Sequence, residues 1–242
     1  MLGVSRDGDV VTIELQREER RNALNSELVT RLREAVLAAV ADGARVIVLT
    51  GRGPIFSAGA DLSGVYSDDF LSGLLDMLHT IESVPVPVIS AINGGALGAG
   101  VQLALASDLR VIAPEAYIAI PAAKLGITVD RWTVRRLVSL IGGGPARTVL
   151  IGAEPIQAAD CYSFGFANKI GTLADAQAWA KSIADLAPLS LRHLKLVFND
   201  DGTRDPESAQ QRAALEAAWT SADAQEGRVA RQEKRAAKFV GR

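Results

Sequence analysis

Apolar and polar residues along this chain follow two periods. Val10–Leu15 (Val-Val-Thr-Ile-Glu-Leu) reads as a strand. Asn22-Ala23-Leu24-Asn25 is a turn, and Asn25 or Ser26 caps a helix running to about Ala41, with Leu28, Leu32, Ala35, Val36 and Ala39 at helical spacing. Arg45–Thr50 is largely apolar, which predicts a strand buried on both faces. Gly51–Pro54 is a loop, and Ser63–Ser72 is a polar, glycine-containing stretch expected to be mobile ahead of a helix over Leu71–Ile81. Pro85 and Pro87 punctuate the entry to a third strand, Val88–Ile92. An apolar helix ending near Ser107 and strands over Leu109–Ala113 and Tyr117–Ile120 follow. Beyond Pro121 helices are predicted over Thr133–Ile141, Pro145–Ile151, Ala174–Leu186, Leu189–Phe198 and Glu207–Lys234. Short β-β-α units followed by helices predict an α/β layer fold with parallel pairing. Asn199–Thr203 is the expected hinge between a core over residues 1–198 and a helical C-terminal region over 199–242.

Composition narrows the function. The 242 residues suffice for one domain with a substantial core and leave room for a small appendage. A net charge of −2 gives no field that draws the chain to nucleic acid or an anionic membrane. The basic residues near the end (Arg228, Arg231, Lys234, Arg235, Lys238, Arg242) fit a solvated helix face, a phosphate-bearing ligand or a subunit contact. A single cysteine, Cys161, permits no disulfide framework within the chain. No apolar run approaches the roughly 18 residues of a membrane span, and Met1–Asp7 does not read as a secretion signal. The expected location is the cytoplasm.

Two glycine-punctuated turns carry the chemistry. Phe56-Ser57-Ala58-Gly59-Ala60-Asp61-Leu62 and Asn93-Gly94-Gly95-Ala96-Leu97-Gly98-Ala99-Gly100 each follow a β-rich run, and the second opens a helix. Backbone N–H groups at such turns bind an anionic oxygen without a charged side chain, which points to a site that polarises a carbonyl. The second turn looks like a dinucleotide-binding loop but lies far from the N-terminus. A Tyr-x-x-x-Lys pair is lacking, since Tyr66, Tyr117 and Tyr162 are followed four places on by Phe70, Pro121 and Phe166. His79 and His193 are far apart and only one thiol exists, so no metal site is expected. Neither a Gly-x-Ser-x-Gly elbow nor a phosphate loop ending in Gly-Lys occurs.

The chain resembles the crotonase (enoyl-CoA hydratase/isomerase) superfamily. The matching segments are Arg21-Asn22-Ala23-Leu24-Asn25, Phe56–Leu62, Pro87–Gly94, Gly98-Ala99-Gly100, Ser107–Ala113 and Glu233–Phe239. The resemblance implies a spiral of β-β-α units with a C-terminal helical trimerisation region, trimers or hexamers, and an acyl-CoA thioester as ligand or substrate with no further cofactor. It implies an oxyanion hole formed by the N–H groups of Ala60 and Ala99. Glycine is usual in the family at position 99, and alanine keeps the N–H while adding a methyl group. A CoA surface is implied around Arg21, Ala23, Leu24, Ala58, Asp61 and Leu62, with Lys238 and Arg242 reaching phosphates from this or a neighbouring subunit. Leu97, Gly98, Pro121, Leu125, Ile127 and Trp132 are the expected acyl contacts. Trp132 stands where the family has a small residue, and the alternative for it is ordinary core packing. Trp179 and Trp219 read as packing residues.

One departure matters. The hydratases of this family use two glutamates, and the corresponding positions here are Gln102 and Ala122, neither of which exchanges a proton near neutral pH. Asp130 is the remaining carboxylate, either a catalytic or ligand-binding group or the cap of the helix that follows it. This pattern is similar to a subgroup of mycobacterial enoyl-CoA hydratase homologues thought to bind long acyl-CoA and deliver it to fatty-acid elongation. That likeness extends to Leu173–Ala180 and Asn199–Gly202. The expectation is an acyl-CoA-binding member of the family with hydratase activity weak or absent, and a fatty-acid elongation enzyme is its candidate partner. The alternatives are an active hydratase/isomerase using Asp130 or a Gln102-held water, and a purely structural subunit.

Overall fold

A computed structural model describes residues 1–61 and 68–241, the side chain of Asp68 excepted. Leu62, Tyr66, most of the polar stretch before the second helix, and Arg242 lie outside the described residues. The elements in chain order are β1 (Leu2–Asp7), β2 (Val10–Leu15), α1 (Ser26–Ala41), β3 (Val46–Gly51), β4 (Ile55–Ser57), α2 (Asp68–Ser83), β5 (Val88–Ile92), β6 (Gly95–Leu97), α3 (Ala99–Ala106), β7 (Leu109–Ile112) and β8 (Tyr117–Ala119). Then come α4 (Arg131–Ile141), α5 (Gly143–Leu150), β9 (Ile156–Gln157), α6 (Ala158–Ser163), β10 (Lys169–Ile170), α7 (Leu173–Ala184), α8 (Pro188–Phe198), α9 (Ala209–Thr220) and α10 (Ala222–Gln232).

The repeated unit sends one strand to each of two sheets before a helix. One sheet has the order β1-β2-β3-β5-β7-β10 and the other β4-β6-β8-β9. Pairing from β2 through β10 in the first sheet is parallel, as is β4-β6-β8 in the second; β1-β2 and β8-β9 are antiparallel. This is the α/β layering with parallel pairing that the sequence predicts.

The all-buried β3 follows from its period of two. Ile47 and Leu49 face the main core with α1 and α2, while Val46 and Val48 face a second cluster closed by Ala176, Ala180 and Ile183 of α7. α1 begins where Asn25 accepts from Leu28 N, and it buries Leu28, Val29, Leu32 and Val36. The hairpin β1-β2 turns at Gly8, φ +59, in an Asp-Gly pair.

Ser107–Arg110 acts as a joint. Asp108 Oδ2 accepts from Val88 N and from Lys195 Nζ, both at 2.8 Å. Lys195, buried in α8, also donates to the carbonyls of Ile81 and Val86. Arg110 donates to the carbonyls of Phe166, Ala104 and Ser107, and burial, helped by nearby Arg136, lowers its pKa to about 10.

Two expectations change. Glu207–Lys234 is two helices, broken at Ser221, which caps α10 by accepting from Ala224 N. β1, the three-residue strands β4 and β6, β9, β10 and α6 were not predicted. The segment 199–205 makes side-chain bonds to the core. Arg136 pairs with Asp201 at 2.9 Å and donates to Asn199, Asn199 Nδ2 donates to Glu82 O, and Arg131 donates to the carbonyls of Gly202, Thr203 and Asp205. No described helix is long and apolar enough to cross a membrane.

Candidate functional site

The first turn leaves β4 over a scaffold made by Arg21 and Asn22, both in the left-handed region. Buried Asn22 accepts from Arg17 N and donates to the carbonyls of Arg52 and Ile55. Ala58 N donates to Arg21 O, Leu24 N to Gly59 O, and Asp61 N to Leu24 O. These bonds fix both neighbours of Ala60, and the Ala60 N–H has no acceptor among the described residues.

The second turn leaves β6 through Gly98, φ +50, whose N–H donates to Ala119 O. Gly98 O accepts from Val101 N and Gln102 N, so α3 starts at Ala99 with its first N–H free of any acceptor among the described residues. The two turns abut. A Cβ at Gly59 (φ +90) would stand 2.6 Å from Leu97 O and 3.3 Å from Ala99 N, and one at Gly100 would stand 2.6 Å from Ser57 O. Glycine at these two positions is what lets the backbones meet.

Both turns open onto a cavity of about 420 Å³. Leu97, Gly98, Ala99 and Gln102 line it from the second turn and α3, and Arg21, Ala58 and Ala60 from the first. Pro121, Ala122, Leu125, Ile127 and Asp130 line it from the segment ahead of α4. The remaining wall is mostly apolar and comes from α2 (Phe70, Leu71, Leu74, Leu75) and from the C-terminal helices (Leu215, Trp219, Arg231). The sequence reading did not place these last residues in the site. The spacing of Phe70, Leu71, Leu74 and Leu75 was a usable signal for α2; Trp219 had been read as packing alone.

Asp130 is bound on both oxygens. Oδ1 accepts from Thr133 N at 2.9 Å and caps α4. Oδ2 accepts from Gln102 Nε2 at 2.9 Å and Thr133 Oγ1 at 2.7 Å. Gln102 Nε2 also donates to Thr133 Oγ1 at 2.7 Å. Gln102 is 7 % exposed and lines the cavity, its Nε2 committed to Asp130 and Thr133 and its carbonyl oxygen bonded to no described residue.

Other expected site residues fall elsewhere. Trp132 is not on the cavity wall. It is buried in the main core, where its indole N–H donates to Glu82 Oε1 at 3.1 Å; α4 turns it inward, and the acyl-contact expectation is corrected accordingly. Leu24 is fully buried in the core, and Ala23 lies in the turn outside the cavity wall. Asp61 pairs with Arg17 at 2.8 Å. Lys238 is exposed, its backbone N–H donating to Glu226.

The family described as Enoyl-CoA hydratase/isomerase matches residues 5–242. The chain belongs to the enoyl-CoA hydratase/isomerase family. It is 51% identical over 246 residues to the "Probable enoyl-CoA hydratase echA6" of Mycobacterium leprae, covering 100% of both chains. Carnitinyl-CoA hydratase from Mycobacterium avium is 30% identical with a TM-score of 0.89, over 100% of this chain and 98% of that one. Methylmalonyl-CoA decarboxylase in complex with 2-nitronate-propionyl-CoA shares the fold, with a TM-score of 0.92 at 24% identity over 100% and 98% of the two chains. Gln102 and Ala122, the positions at which the resemblance implies glutamates, both line the cavity. No cluster of three metal-ligating side chains occurs among the described residues.

Proposed function

We propose that this family member binds acyl-CoA thioesters in the cavity and that its hydratase activity is weak or absent. The thioester oxygen accepts from the Ala60 and Ala99 N–H groups, which have no other acceptor among the described residues and belong to turns in direct contact. The positive end of the α3 dipole adds to that pull. In an enzyme each such donor is typically worth about 3 kcal/mol on a developing oxyanion. Here they hold and orient a carbonyl.

The observation that carries the reading is the closed network of Gln102, Asp130 and Thr133. Hydration needs one group to take a proton from water and another to deliver one to the α-carbon. The Gln102 amide does neither, and Ala122 has no polar atom. Asp130 is committed to three hydrogen bonds and to the cap of α4. The alternative, an enzyme using Asp130 or a water held on the Gln102 carbonyl, draws support from both residues lining the cavity. Asp130→Asn separates the two readings, because asparagine caps as well as aspartate. Acyl-CoA affinity unchanged within about threefold, with no turnover to lose, supports the binder. Turnover present in the wild type and abolished in the variant supports the enzyme.

Arg21 lines the cavity and makes no ion pair among the described residues, which suits it to the CoA phosphates. Ala58 shares that wall, Lys238 and Arg242 are further phosphate contacts from this or a neighbouring subunit, and Leu62 belongs with the CoA surface. Leu97, Gly98, Pro121, Leu125 and Ile127 hold the acyl end. The functional unit is a homotrimer or hexamer acting in the cytoplasm in fatty-acid metabolism, with an elongation enzyme as its protein partner. Leu189, Leu194, Leu196, Val197 and Phe198 stand exposed on α8, a surface suited to burial between subunits. Sedimentation tests the assembly: a monomer at micromolar concentration contradicts it.

A further inference from the structure

α9 contributes no fully buried residue, and only Leu215, Ala218 and Trp219 are even half-buried. Their i, i+3, i+4 spacing makes one narrow inward stripe. Two of the three line the cavity. α10, by contrast, is locked in place. A Cβ at Gly227 would stand 2.0 Å from Leu125 O, and one at Gly126 (φ +71) 2.2 Å from Asp223 O, so α10 and the turn before α4 touch backbone to backbone. α9 joins α10 at Ser221 and begins at its own Ser208–Gln211 capping box, and its inward face rests on the cavity and the edge of the main core.

The other large apolar wall is of a different kind. Phe70 and Leu74 of α2 are 2% and 4% exposed and belong to the main core as well as the cavity. Trimming them empties the core. Trp219 is only partly buried and packs against the edge of the core rather than within it, so trimming it chiefly opens the cavity. The thioester end is fixed at the Ala60 and Ala99 turns, which leaves the apolar walls to the acyl chain.

We propose that Trp219, with Leu215 beside it, sets the length of acyl chain the cavity accepts. This rests on the acyl-thioester reading above. Each methylene that enters apolar surroundings strengthens binding about fourfold until the chain meets the indole. Trp219 is large and rigid, and a longer chain then has to displace it together with α9, which carries no fully buried residue.

The test is a titration of wild type, Trp219→Phe and Trp219→Ala with saturated acyl-CoA thioesters from butyryl to stearoyl, by calorimetry. In the wild type affinity climbs about fourfold per methylene and then breaks off. In Trp219→Ala the break moves to longer chains, and Trp219→Phe falls between. Tryptophan emission is the second readout: ligand changes it in the wild type and not in Trp219→Phe, because neither Trp132 nor Trp179 lines the cavity. Leu215→Ala, which also moves the break, replaces Trp219→Ala should that variant not fold. The same break in every variant overturns the assignment while leaving the acyl-thioester reading intact. No binding of any thioester by folded wild type overturns both.

Discussion

Gln102 Nε2 stands 2.9 Å from Asp130 Oδ2, at the position where an active relative is expected to carry a proton-exchanging glutamate. The amide nitrogen spends its two hydrogens on Asp130 and Thr133, and Asp130 spends its other oxygen on the cap of α4. Replacing Gln102 with glutamate therefore does not by itself rebuild a catalytic site; it sets two carboxylates against each other.

Gln102→Glu is expected to lower stability by about 1–3 kcal/mol near neutral pH. One carboxyl of the pair then titrates above the unfolded value of about 4.3. The folded variant binds a proton the unfolded chain releases, so its deficit shrinks as pH falls through that raised pKa and grows as pH rises. Urea unfolding at about pH 7 and about pH 5 measures the difference. An equal deficit at both values contradicts the carboxylate pairing.

Gly59→Ala places a methyl group 2.6 Å from Leu97 O at a φ of +90. A loss of about 2 kcal/mol or more is expected, from strain and the forced separation of the two turns. Acyl-CoA affinity falls at least about tenfold in the same protein, since both N–H groups move. Loss of stability with full binding contradicts the role given to the turns.

Glu82 is 3% exposed and accepts from Trp132 Nε1 and from Arg204 Nη2 at 2.7 Å. It joins α2, α4 and the segment leading to α9. Glu82→Ala leaves a buried indole N–H and an arginine without their acceptor and is expected to cost about 3–5 kcal/mol. Glu82→Gln keeps an oxygen for the indole and costs less. Denaturant midpoints of the two variants check the order.

Asp201 titrates below the ordinary carboxylate value. Burial works against this, but hydrogen bonds from Thr203 and the adjacent Arg136 guanidinium outweigh it. Its contribution is present above the unfolded pKa of about 3.9 and is lost as pH falls through the lower folded value. Asp201→Asn should therefore lower stability near neutral pH and flatten the decline below about pH 4. An unchanged acid limb in thermal melts contradicts this.

Much of the fold was legible because it rests on local periodicity. β2, α1 and β5 fall where their apolar spacing and the Asn25 cap put them. β1 escaped because four of its six residues are exposed, and β4 and β6 because three residues adjoining a turn carry no period. α9 and α10 fused into one prediction because Ser221 breaks them without a glycine or proline. At the site, the glycine turns were readable from their own chemistry. The exchange of Trp132 for Trp219 was not. Both side chains turn inward on amphipathic helices, and only the packing of α4 against Glu82 and of α9 over the cavity distinguishes core from wall.

The measurement that bears most directly on the account is acyl-CoA binding and 2-enoyl-CoA hydration followed on one preparation, at high protein concentration, with crotonyl-CoA and a long-chain 2-enoyl-CoA. The account predicts saturable binding with no hydration above that of a homologue lacking both glutamates by mutation. Hydration clearly above that control, on either substrate, contradicts it.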